Sequence, residues 1–137
     1  MKDDLTCLAT SLRRAAFRAT EIYNHHMAPS GLTVTMFRQL TVIRERPEAS
    51  ITELAAALDL DRSTLGRNLR VLQREGLVTL AGGRDDRSAS VALTAEASAA
   101  YERALPLWQA AQAEVAARLD GRANWLLALP GALEDRA

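Results

Sequence analysis

Arg62, Ser63, Thr64, Arg67, Asn68 and Arg70 crowd one short stretch of the chain, and their side chains are of the types that read nucleic acid. Arginine presents a planar fork of donors that fits a guanine edge or a phosphate bidentately. Asparagine pairs the same way with adenine, and Ser and Thr hydroxyls suit phosphates or bases. Arg74 extends the basic run and only Glu75 opposes it, so the stretch is locally positive; local field, not net charge, steers a polyanion. A second cluster, Gly82-Gly83-Arg84-Asp85-Asp86-Arg87, follows. At the tip of a hairpin, Arg84 or Arg87 would reach a minor groove, where a narrow A·T tract concentrates negative potential, and Asp85 can hold Arg87 in position. An ordinary exposed turn uses the same residue types, so the surrounding elements decide what the clusters mean.

Asp61 can cap a helix over 62–75 whose Leu65, Leu69 and Leu72 form an apolar stripe, with the polar cluster on the other face and Gly76 as a left-handed stop. Just before it, Ser50 and Glu53 have capping-box spacing and open a short helix over 51–58 with Leu54, Ala55 and Leu58 on one face. The break at Asp59-Leu60 joins the two tightly, as in a helix-turn-helix whose second helix enters the major groove while the first braces it. Leu77–Leu80 and Ser90–Leu93 alternate as short strands about the turn 81–87. Taken alone, the helix over 62–75 also reads as a core helix with a solvated polar face. The hairpin after it completes the winged-helix order and favours DNA.

Helices flank this unit. Leu5, Leu8, Leu12, Ala15, Ala16, Ala19, Ile22 and Tyr23 recur at helical spacing from about Asp4 to Met27, and Pro29 and Gly31 end the run. Thr33 caps a second helix with Val34, Phe37, Leu40, Thr41 and Arg44 along one side, closing near Pro47. Thr94 caps a long helix to about Leu119 that carries Tyr101, Leu105, Trp108 and Val115, with Pro106 expected to bend it. Gly121 precedes a last helical stretch over 122–129, which Pro130 and Gly131 are expected to close.

Composition narrows the classes. The 137 residues are 48% hydrophobic and 25% charged, as in a single globular domain. The fold expected is mainly α with a small β-hairpin wing. The net charge is zero and Lys2 is the only lysine among 17 basic residues, which excludes a bulk architectural DNA binder. It also supports a rival reading, a winged-helix module that contacts protein and never DNA. No apolar run reaches the ~20 residues of a membrane span and MKDDLTC lacks a signal-peptide pattern, so a cytoplasmic protein without membrane partners is expected. The single cysteine, Cys7, fits a reducing compartment. With no phosphate loop, metal-ligand set or nucleophile–base grouping, no enzyme, metal or cofactor is expected.

LAAALDLDRSTLGRNLRVLQREGLV followed by RDDRSASVALT resembles the helix-turn-helix and wing of the MarR (multiple-antibiotic-resistance regulator) family. Asp85 and Arg87 at the tip and Val91, Leu93 and Thr94 closing the hairpin carry the resemblance most specifically. It implies a homodimeric transcription regulator, a repressor, on a pseudo-palindromic double-stranded operator. Residues 1–32 and 95–137 would form the dimerisation helices and 33–94 the DNA-binding lobe. The chain departs from the family pattern at Asp59, where glycine is common, at Asp86, where a basic residue is frequent, and at Gly66, which costs the helix about 1 kcal/mol relative to alanine.

The resemblance also implies release of DNA by a small aromatic, anionic effector or by oxidation. Arg14 and Arg18 can pair a carboxylate, with Phe17, Tyr23, Met36, Phe37 and Trp108 as apolar walls; core or dimer packing is the competing role for these residues. Cys7 falls near a helix start, where the dipole favours thiolate, but a buried and inert thiol is the expectation. His25 and His26 are adjacent, point about 100° apart on a helix and cannot chelate one metal, so surface histidines at a fraying helix end are expected.

Overall fold

The computed structural model describes residues 6–82 and 89–135. Six α-helices and one antiparallel hairpin occur among them: α1 (Leu8–Met27), α2 (Val34–Glu45), α3 (Ile51–Ala57), α4 (Arg62–Arg74), β1 (Val78–Ala81), β2 (Ser90–Leu93), α5 (Ala95–Leu119) and α6 (Ala123–Ala132). A 3-10 turn, Ala28–Ser30, links α1 to α2.

The helix starts follow from their capping residues. Thr33, Asp61 and Thr94 accept the backbone N–H of Met36, Thr64 and Ala97, and Ser50 forms the full capping box with Glu53. Asp59 takes the left-handed conformation (φ 54°) at the turn between α3 and α4, as Gly76 does (φ 75°) after α4. Val78 pairs with Leu93 and Ala81 with Ser90 in the hairpin, and a single bridge from Ser50 to Ser90 ties it to the start of α3. The Thr94 hydroxyl donates to the Gly76 carbonyl (2.7 Å) while it caps α5, so one side chain joins the end of α4 to the start of α5.

Leu54, Leu65, Leu69, Leu72, Val78 and Val91 meet Leu40 and Ile43 of α2 and Ala97, Ala100 and Ala104 of α5 in one core. Each fully buried leucine contributes about 2 kcal/mol. The other end of α5 packs on α1, where Tyr23 donates to Gln112 and His26 Nε2 lies 3.1 Å from Glu114.

Several expectations need correction. Thr6 and Cys7 precede α1, and Cys7 is its N-cap in an extended conformation. The first strand starts at Val78, because the Leu77 N–H closes the α4 terminus onto the Leu72 carbonyl. Pro130 and Gly131 lie inside α6 and do not close it. Pro130 leaves the Leu126 carbonyl without its helical donor, at a partly water-exposed residue where the loss is small, and the turn is closed by the Leu133 N–H on the Pro130 carbonyl. Cys7 is exposed, not buried. At the end of α1 His25 is exposed as expected, whereas His26 is half-buried and docked on Glu114, itself held 3.2 Å from Arg118.

Candidate nucleic-acid interface

With Leu65, Leu69 and Leu72 sealed inside, helical geometry turns the opposite face of α4 outward. Ser63, Arg67, Arg70 and Arg74 share that face and all are exposed. Arg62 is also exposed at the first turn, and Thr64 and Asn68 are half-buried on one flank. The sequence cluster is therefore one surface centred on three arginines, with its amide at the edge.

Asp61 organises the start of this surface. Its carboxylate accepts the Ser63 hydroxyl (2.7 Å), the Thr64 N–H (2.7 Å) and the Thr64 hydroxyl (3.0 Å). These bonds hold its carboxyl at about 2, the Ser63 hydroxyl contributing most. Both hydroxyl protons are thus spent on the cap, which leaves these groups as acceptors. Arg67 donates to the Thr64 hydroxyl oxygen (3.3 Å), which steadies its guanidinium above the helix start. Arg84, Asp85 and Arg87 of the wing tip lie outside the described residues.

The arginines border two open hollows. One, about 480 Å3, is lined by Ile51, Arg62, Ser63, Gly66, Arg67 and Arg70; the other by Arg67, Arg70, Val71, Gln73 and Arg74. Val71, 40% exposed, and Gln73 escape sequence reasoning. Only their helical spacing from Arg67 and Arg70 signals that they share this surface.

The proposed effector residues do not gather in one place. Phe37 stacks on Tyr101 (4.7 Å between centroids) and Trp108 (5.7 Å), and these rings line a cavity of about 190 Å3 with Val34, Arg38, Thr41 and Leu105. Arg44 lies over the Tyr101 ring, 4.8 Å from its centroid. Met36 lines a separate cavity with Glu75, Glu96 and Arg103. Arg14 and Phe17 are exposed on α1, and Arg18 is paired with Glu21 at 3.1 Å. Tyr23 is half-buried against α5, which raises its pKa. Val34, Arg38, Thr41, Tyr101 and Leu105 are the cavity residues missing from the sequence set. Tyr101 and Trp108 are two helical turns apart on one face of α5, a signal for the pair but not for Phe37 opposite. Cys7 is exposed and its thiol is lowered, chiefly by a hydrogen bond with the Thr10 side chain and also by the Thr10 backbone. Among the described residues no group of three His, Cys, Asp or Glu could hold a metal ion, and no helix is long and apolar enough to cross a membrane.

Known proteins share this arrangement. The MarR family profile matches residues 30–88. MosR, a transcriptional regulator of M. tuberculosis solved in complex with DNA, is 40% identical, with 93% of this chain and 95% of that chain covered and a TM-score of 0.80. CouR, a transcriptional repressor solved with a 23-mer DNA duplex, is 29% identical, with 93% and 92% covered and a TM-score of 0.77. A mutant of E. coli MarR complexed with operator DNA has the same fold at 24% identity, with 93% and 94% covered and a TM-score of 0.80. A search among proteins of curated function found no match. The helix-turn-helix and hairpin, with 40% identity to MosR over nearly the whole of both chains, establish that the chain belongs to the MarR family of transcription regulators.

Proposed function

We propose that the chain is a homodimeric, sequence-specific DNA-binding repressor that lays α4 in the major groove of each half of a pseudo-palindromic operator. The observation that carries this reading is the exposed face of α4. Ser63, Arg67, Arg70 and Arg74 point outward together, backed by three leucines sealed in the core. MosR and CouR, both solved on DNA, support it. Arg67 and Asn68 would read bases, Arg62 and Arg70 would hold the backbone, Ser63 and Thr64 would accept from donors on the base edges, and Arg84, Asp85 and Arg87 would serve the wing.

Two routes of release fit the reading. The aromatic cavity of Phe37, Tyr101 and Trp108 suits an apolar or aromatic effector whose acidic group reaches Arg38; CouR is also solved with p-coumaroyl-CoA. Alternatively, peroxide would convert the Cys7 thiolate to a sulfenic acid, releasing hydroxide.

The test is fluorescence anisotropy of wild type and Arg67→Ala on duplex DNA from the gene's own upstream region and on scrambled DNA, at ~150 mM salt. Tight, sequence-preferring binding that Arg67→Ala loses is expected, as is its reversal by a phenolic acid or by peroxide. Equal, weak binding by both proteins would turn the reading to a protein-interaction module.

A further inference from the structure

Gly66 stands in the middle of α4, where glycine is among the poorest helix formers, yet nothing inside the protomer asks for it. It is not among the described glycines with positive φ, which are Gly31, Gly76, Gly82 and Gly121. A Cβ built on it would meet no heavy atom of another described element within 4 Å. Backbone, packing and helix propensity all admit alanine there, so what favours glycine lies outside the protomer.

The surroundings indicate what that is. Gly66 leaves bare backbone in the open hollow of about 480 Å3. At about 100° per residue, Arg62 and Arg70 lie about 40° to either side of it and Arg67 about 100° away. Among the described residues no carboxylate lines the hollow. A group entering it meets the guanidinium donors of Arg62 and Arg70, whose planar forks match phosphate oxygens, and comes close to the helix backbone because no side chain stands in the way. We infer that this hollow seats a backbone phosphodiester of duplex DNA, and that Gly66 is a positioning residue whose contribution is the space it leaves; this rests on the DNA-binding reading of α4. The phosphate is held by Arg62 and Arg70, which flank Gly66, while Arg67 stays turned to the bases, and the close approach fixes the depth at which α4 enters the groove.

The experiment compares full-length wild type, Gly66→Ala, Gly66→Leu and Arg67→Ala on the upstream duplex and its scrambled control over a salt series, with melting temperatures of the same samples. Both glycine variants are expected to fold, Gly66→Ala melting about 3 °C higher than wild type. Affinity is expected to fall about fivefold for alanine and about fiftyfold for leucine. The drop should be equal on both duplexes, and the slope of log K against log salt should flatten by about 0.9 for each phosphate that is no longer neutralised. A drop confined to the upstream duplex with an unchanged salt slope would place a base edge at Gly66 and overturn the phosphate seat. Wild-type affinity in both glycine variants would overturn it as well. Failure of the underlying reading is distinct, because wild type and Arg67→Ala would then bind both duplexes equally weakly, which removes the seat along with the interface.

Discussion

Between Ser50 and Thr94 the large apolar side chains turn inward, with Val71 the exception among the described residues. Leu54, Leu65, Leu69, Leu72, Val78 and Val91 are buried, and the surface that remains on α4 is mostly polar and basic. The ends of the chain do the reverse. Leu8 (77% exposed) and Phe17 (61%) stand out from α1, Trp125 (63%) and Leu127 (73%) from α6, and α6 buries no residue at all. The central lobe closes its core within one protomer and keeps a cationic face for a polyanion. The ends carry apolar surface that no other part of the described chain covers, and large exposed apolar side chains in such number mark a protein contact. A helix as short as α6 is marginal in water by itself. A second copy of the chain is the cover that the proposed homodimer supplies.

Breaking the ends should have the largest effect. Trp125→Asp combined with Leu127→Asp places charge on the apolar surface of α6. Sedimentation equilibrium is expected to move from twice 14.9 kDa to 14.9 kDa. DNA affinity is expected to fall at least about hundredfold, because two recognition helices no longer bind as one unit. A variant that stays dimeric would exclude α6 from the interface. Within the lobe, Leu65→Ala removes a side chain that is 0% exposed and should cost about 3 kcal/mol in urea unfolding; a cost below about 1 kcal/mol would mean the lobe is not a tightly packed unit.

Smaller effects sharpen the picture of the lobe. Thr94→Val keeps the shape but removes the cap on Ala97 and the bond to the Gly76 carbonyl, a cost of about 1 kcal/mol by the same unfolding measurement. The smallest is an acid effect. The Asp61 carboxyl, held at about 2, binds its proton less tightly in the folded chain than in the unfolded one. Its stabilisation is therefore complete above about pH 4 and fades as the pH falls through about 2. Asp61→Asn, which caps without titrating, should drop less in melting temperature than wild type between those values; equal drops would remove Asp61 from the acid response.

The lobe was readable in the sequence because its signals are local. A capping box, an aspartate three residues before the N–H it accepts, leucines one turn apart and a left-handed stop each act over a few residues. The ends were less readable because periodicity marks Leu8 and Leu12 as a stripe without saying whether the partner is the same chain. Pro130 and Gly131 read as a stop, yet α6 carries them in its exposed last turn. The aromatic cavity depends on Phe37 of α2 meeting Tyr101 and Trp108 of α5, a tertiary contact that helical spacing does not encode. The exposure of Cys7 and the docking of His26 on Glu114 are likewise set by where α1 begins and which helix it crosses.

Hydroxyl-radical footprinting of the wild-type protein on the upstream duplex tests most directly the claim that two closed, cationic lobes are paired through apolar ends. Two protected half-sites on one face of the duplex, with centres about 10 base pairs apart and both absent in Arg67→Ala, are predicted. A uniform cleavage ladder at saturating protein, or a footprint that Arg67→Ala leaves intact, would contradict it.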